Sequence, residues 1–275
     1  FEYWALSGAF VGSNYGGLIE NCKNYADITA YSGTIGAICG TNSQLGEGTV
    51  RNCYNAGTIR AGYNCAAGII GTNAGTVENC QNDGTIIVEK LSAFMPTAAR
   101  TVAGGIVGTM NAYGKIALQN NVNTGTIQAE KRVGGICGYV SMSGSNGDVT
   151  IANNINYGTI ITEDVASRGA FSGEFSASCQ YVLDNNYYDG QLLPYGGSNN
   201  TRFEGINSVA TSILTKGELS NFPAEIWEMN ENRYPILKLF ANEEKARDAS
   251  QIIVQIATGE NAGNLQSDIT LHAPE

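Results

Sequence analysis

The side chains able to do chemistry are few in this chain, and their spacing excludes more reactions than it suggests. One histidine occurs in 275 residues, His272, four positions from the end. An H-E-x-x-H zinc-peptidase motif is therefore absent, and a Ser-His or Cys-His nucleophile would require His272 to fold back onto the body of the chain. As a residue near a terminus, His272 is expected to be solvated. Acids near one another in sequence are Asp148, Glu163, Asp164, Glu174, Asp184 and Asp189. Glycan hydrolysis needs a carboxylate pair, and lyase chemistry needs clustered carboxylates for calcium plus a basic residue. These acids show no repeated D-x-D spacing, so neither a catalytic residue nor a metal ligand nor a cofactor is expected. Seven cysteines occur without a C-x-x-C pair, which argues against a thiol zinc site and a full disulfide framework.

The basic residues cluster in a way that suggests binding instead. Arg60, Lys90, Arg100, Lys131, Arg132 and Arg168 fall in four variable loops, 60–66, 87–103, 128–133 and 161–168. Leu91, Phe94, Met95 and Pro96 add apolar surface to the longest one. A solvated edge with one decorative insertion is the plain reading of these residues. The sharper one is a contact surface along a single edge, because insertions in repeat proteins collect on one face.

What must position these loops is a repeat. A five-residue block occurs six times: Gly8-Ala9-Phe10-Val11-Gly12, Gly36-Ala37-Ile38-Cys39-Gly40, Ala67-Gly68-Ile69-Ile70-Gly71, Gly104-Gly105-Ile106-Val107-Gly108, Gly134-Gly135-Ile136-Cys137-Gly138 and Gly169-Ala170-Phe171-Ser172-Gly173. A second block, Asn52-Cys53-x-Asn55 in one copy, recurs at Asn21, Asn79, Asn120, Asn153 and Asn185. A third is Gly-Thr-Ile, at Gly57, Gly84, Gly125 and Gly158. Three short apolar strands per ~30 residues, separated by Gly and Asn, describe one coil of a parallel β-helix. The fold expected is all-β: a β-solenoid of about six coils, right-handed as parallel crossovers are by default, closed by a small C-terminal cap. Asn suits the corners because it tolerates the left-handed region, and Gly or Ala permits close backbone approach. Cys22, Cys53 and Cys80 share one repeat position, and Cys39 and Cys137 share another, so they read as buried thiols used for packing.

The domains expected are coils over 1–190, a cap over 191–240 and a further segment over 241–275. In the cap, Thr215 is placed as N-cap of a short helix and Trp227 and Tyr234 as core. The last segment reads as a helical linker and β-hairpin, either the start of another domain or a partner for the cap. The chain opens on Phe1 with no leader ahead of the first repeat, as expected of an excised or processed piece.

The Gly105-Ile106-Val107-Gly108 type of block, together with the N-C-x-N and G-T-I blocks, resembles the GLUG-repeat β-helix proteins of bacterial surfaces, including the repeat region beside the catalytic domain of some IgA-cleaving metallopeptidases. Asn185-Asn186-Tyr187-Tyr188-Asp189-Gly190, Trp227 and Tyr234-Pro235-Ile236-Leu237 resemble the way such arrays finish. The likeness covers about residues 6–240 and departs from the namesake motif by using Ile or Phe where Leu is usual. It implies an extracellular, surface-attached, adhesin-like or scaffolding role, with a surface protein or glycan as partner. The rival readings are a β-helix polysaccharide lyase or glycoside hydrolase, and a passive spacer.

Charge and hydropathy narrow the partners. The formal charge is −10, so nucleic acid is a poor partner, since phosphate neutralisation supplies most of that affinity. No run of 18 apolar residues exists, so membrane insertion is not expected. A monomer is expected.

Overall fold

The computed structural model describes residues 5–31, 33–42, 48–89, 101–111, 115–142, 149–177, 180–217, 219 and 221–243. Within these, the chain winds through six coils, over 6–30, 34–61, 65–88, 102–129, 133–161 and 168–189. Every pairing between coils is parallel and in register. Leu6, Thr34, Cys65 and Val102, for example, stand side by side on successive strands.

Each of the first five coils holds five short strands rather than the expected three, and the sixth holds four. In the second they are Thr34–Gly36, Cys39–Asn42, Thr49–Arg51, Tyr54–Asn55 and Ile59–Ala61. The difference arises because two of the three sequence blocks are corners with a strand on either side. Gly36-Ala37-Ile38-Cys39 turns the chain from the first sheet to the second, and Asn52-Cys53 turns it from the third to the fourth. The corner asparagines Asn21, Asn52, Asn79, Asn120, Asn153 and Asn185 all take positive φ, between 51° and 59°. Asn adopts that region at far less cost than a β-branched residue.

Ile38, Ile69, Ile106, Ile136 and Phe171 form one fully buried column. Their backbones link it directly: Ile38 N donates to Ile69 O, Ile69 N to Ile106 O, and Ile106 N to Ile136 O, at 3.0–3.2 Å. Val50, Val77, Leu118 and Ile151 of the third sheet pack against the column. A second core joins Ile35, Ala66, Ala103 and Val133 of the first sheet to Ile59, Ile86 and Ile127 of the fifth. Each such buried side chain contributes about 1.5–3 kcal/mol relative to exposure.

A ladder of asparagines is also buried. Asn24, Asn55, Asn82, Asn123 and Asn156 are joined Nδ2 to Oδ1, each to the next, at 2.7–2.8 Å. Each also serves its own coil; Asn55 Nδ2 donates to Gly57 O while Gly57 N donates back to Asn55 Oδ1. The second position of the Gly-rich block lies against this ladder, and a Cβ on Gly105 would come within 2.4 Å of the Asn123 Cγ. The same contact recurs at Gly68 and Gly135, and it explains why this position is Gly in the third, fourth and fifth coils.

Past Gly190 the chain does two things. Residues 191–209 finish the stack: Ala170 N donates to Gly196 O, Phe171 N donates to Gly197 O, and Ile206–Val209 adds a seventh parallel strand to the fourth sheet. Residues 210–243 then run back along the outside of the fourth sheet as a strap. Tyr234 donates to Asp189 Oδ2 at 2.6 Å beside the sixth coil and stacks on Tyr157 of the fifth, with ring centroids 4.4 Å apart. Trp227 Nε1 reaches Asn120 Oδ1 of the fourth coil at 3.4 Å, and Phe240 packs on Tyr54 of the second. Glu243 pairs with Lys23 of the first. The segment expected to cover one end of the stack thus also braces its whole length.

The helix expected to open at Thr215 lies one turn earlier, at Thr211–Leu214, and Thr215 closes it. Thr215 Oγ1 donates back to Thr211 O at 2.9 Å, and Gly217, at φ +85°, turns the chain away. Residues 244–275, with the expected helical linker and hairpin and His272, lie outside the described residues.

Candidate functional site

The four described members of the expected basic edge sit at the passage from the fifth sheet to the first, and three of them are already engaged. Arg60 projects from Ile59–Ala61 and pairs with Glu89 of the following coil. Arg132 Nε donates to Glu174 Oε2 at 2.7 Å, and its guanidinium lies 4.4 Å from the centre of the Tyr139 ring. Arg168 lies 4.3 Å above the Tyr195 ring. Lys131 uses its backbone N–H to bind Thr101 Oγ1 at 3.0 Å. The edge is therefore a series of separate cation contacts with carboxylates and rings. Lys90, Leu91, Phe94, Met95 and Arg100 lie outside the described residues.

Three of the acids near the last coils, Asp164, Glu174 and Asp189, are held in structural contacts. Glu174 is the partner of Arg132. Asp164 accepts from Ser167 Oγ and Ala166 N, and the Ser167 hydroxyl holds its carboxyl below the usual range. Buried Asp189 ties the strap to the coils: Thr211 Oγ1 and the Tyr234 hydroxyl donate to Oδ2, and the Gln191 and Leu192 amides donate to Oδ1. Asp148 lies outside the described residues. Among the described residues, no group of three His, Cys, Asp or Glu side chains is arranged to hold a metal ion.

The six described cysteines are free thiols, and five are buried. Burial pushes Cys39 up to about 11 and Cys65 to about 12, and raises Cys137 further still, so these three are packing groups with little thiolate. Cys22, Cys53 and Cys80 stand in one rank that continues as Asn121, Asn154 and Asn186; Cys80 N donates to Asn121 Oδ1 and Asn121 Nδ2 to Asn154 Oδ1, both at 2.9 Å. Exchange of a small thiol for an amide in one rank shows how the repeat drifts without losing its stacking.

Two surface features were not legible from residue types. One is the open side of the first coil, where Phe10, Tyr15, Leu18, Tyr25 and Tyr31 are all exposed, Tyr31 by 76%. Phe10 occupies the rank of Ile38, yet it is 51% exposed because no described strand lies in front of it. Its place in the earliest copy of the block was the available signal. The other is an open groove of about 470 Å³ in the strap, bounded by Leu219, Phe222, Trp227, Glu228 and Lys238. It owes its shape to contacts between distant segments and had no local signature.

No family model, curated protein or solved structure matches the chain.

The strap ends on an acid-sensitive clasp. Lys23 Nζ donates to Glu243 Oε1 at 2.8 Å and the Tyr25 hydroxyl to Oε2, and together they hold the Glu243 carboxyl below its ordinary value of 4.5. A carboxyl depressed by folding stabilises above its unfolded pKa and loses that effect as pH falls through the folded one. The clasp is therefore expected to open on acidification below pH 4.5, with little change in global melting because the pair is exposed. An NMR titration of the Glu243 side chain checks this; a midpoint at or above 4.5 would contradict it.

Proposed function

We propose that this chain is a non-catalytic binding or scaffolding module of the GLUG-repeat type, displayed outside a bacterial cell and attached to its surface, which engages a surface protein or glycan. The observation that carries the reading is the stack itself: six coils in register, held by hydrogen-bonded amide ladders, give a rigid platform whose passages from the fifth sheet to the first fall along one edge. Insertions in repeat proteins collect on one face, which is often the binding face. The engagement of Glu174, Asp164 and Asp189 in structural contacts leaves them poorly placed for acid–base work.

The test is an array of host and microbial surface proteins and glycans probed with the full chain, repeated with Tyr15 and Tyr31 changed to serine and with residues 91–99 deleted. Retained folding with at least tenfold weaker binding in the loop deletion supports the reading. Loss in the tyrosine variant alone moves the contact to the first coil. Absence of binding throughout makes the chain a spacer, and release of reducing or unsaturated sugars makes it an enzyme; either outcome overturns the proposal.

A further inference from the structure

We propose that Cys22 and Cys53 form a thiol–disulfide exchange site through which a low-molecular-weight disulfide locks the first coil to the second. The register places them face to face. Lys23 pairs with Tyr54 across adjacent parallel strands, so the residues just before them, Cys22 and Cys53, are neighbours. Tyr54 N donates to Cys22 O at 2.9 Å, and Gln81 N to Cys53 O at 3.0 Å, which carries the rank on to Cys80. Adjacent strands lie about 4.8 Å apart, within the ~4.4–6.8 Å that Cα atoms joined by a disulfide span. Each thiol donates to a carbonyl two residues before it: Cys22 Sγ to Glu20 O at 3.4 Å, Cys53 Sγ to Arg51 O at 3.1 Å and Cys80 Sγ to Glu78 O at 3.3 Å.

Access is graded along it. Cys22 is partly exposed, whereas Cys53 and Cys80 are fully buried. Among the described residues the other ranks offer no such pair: Cys39 stands between Val11 and Ile70, Cys137 between Val107 and Ser172, and Cys65 between Thr34 and Val102.

The chemistry proceeds in two displacements. Cys22, as its thiolate, attacks one sulfur of the small disulfide; that S–S bond breaks, and one small thiolate leaves and takes up a proton. A mixed disulfide remains on Cys22. Cys53, as its thiolate, then attacks the Cys22 sulfur and expels the second small thiol, which is protonated in turn. Two protein thiols are oxidised to one disulfide, and one small disulfide is reduced to two thiols. The neighbouring Cys80 thiol holds the Cys53 thiol below its ordinary value, which favours Cys53 as the second nucleophile, whereas burial and the adjacent Cys53 raise the Cys22 thiol, so the first displacement needs alkaline solution. The consequence is local. The cross-link would tie the first coil to the second and slow its local opening.

The full chain is incubated at pH 8.5 with glutathione disulfide, or with reductant as control, and mapped by denaturing alkylation and peptide mass. The expected product is a Cys22–Cys53 peptide pair lacking two hydrogens, with Cys80 alkylatable and amide exchange in residues 18–24 slowed at least tenfold. In Cys80→Ser the same pair forms, several-fold more slowly. In Cys22→Ser it is absent and no Cys53–Cys80 pair replaces it. A glutathione adduct stable on Cys22, alkylation of both Cys22 and Cys53 after oxidation, or pairing of Cys53 with Cys80 would each overturn the proposal.

Discussion

Replacing Gly105 with valine is expected to abolish cooperative folding of the stack. A Cβ at this position would fall 2.0 Å from the carbonyl oxygen of Gly135 and 2.4 Å from the Asn123 Cγ. Neither neighbour can withdraw. The Gly135 backbone belongs to the next coil, which is fixed by its own pairing, and Asn123 is held on both sides by Asn82 and Asn156. The two further methyl carbons of valine have nowhere to go. The loss should exceed ~4 kcal/mol, the range reserved for changes that break packing outright, and a domain has only about 5–15 kcal/mol to lose. Urea unfolding followed by circular dichroism checks it. Gly16→Ala is the control: it sits at φ +86° with nothing within 4 Å, so strain alone should cost about 1 kcal/mol. A Gly105→Val chain that loses less than the control would contradict the account.

The second large effect is expected from Asn82→Ala. Asn82 Oδ1 accepts from Asn55, and its Nδ2 donates to both Asn123 Oδ1 and Gly84 O. All of these groups are buried, so alanine leaves a donor and acceptors without partners or water. Each unsatisfied buried polar group costs about 1–3 kcal/mol, which gives a total on the order of 2–5 kcal/mol. Because coils in a solenoid contact only their neighbours, faster amide exchange should concentrate in the second to fourth coils. Asn82→Asp should be at least as damaging, since it keeps the acceptor and loses the donor. A uniform change in exchange across all six coils, or a loss under 1 kcal/mol, would argue that the ladder is incidental.

The solenoid was legible because its determinants repeat at nearly constant spacing. A residue that must fill the interior in one coil must fill it in the next, so Ile38, Ile69 and Ile106 identify one another without further information. The number of strands was harder to read: Asn52-Cys53 carries the conspicuous residues, yet it is the corner, and the strands beside it are two or three unremarkable residues long. Trp227 and Tyr234 were legible as core and are buried, but the path of the strap was not. Trp227 meets Asn120, and Tyr234 meets Asp189, across separations that follow no period. The basic edge was half legible. Arg60 and Glu89 stand 29 residues apart, close to one coil, so their pairing follows from the repeat once the coil length is known. Arg132 and Glu174 are 42 apart, because Glu174 is the register partner of Tyr139 on the second sheet and is reached by Arg132 across the corner, and that pairing does not.

The claim beneath all of this is that residues about thirty positions apart in sequence are direct neighbours in space. Methyl–methyl nuclear Overhauser contacts among Ile38, Ile69, Ile106 and Ile136 test it most directly. Backbone bonds join each to the next, so contacts are predicted between successive members and none between Ile38 and Ile136. Absence of the successive contacts, or contacts from these isoleucines to residues outside their own and adjoining coils, would contradict it.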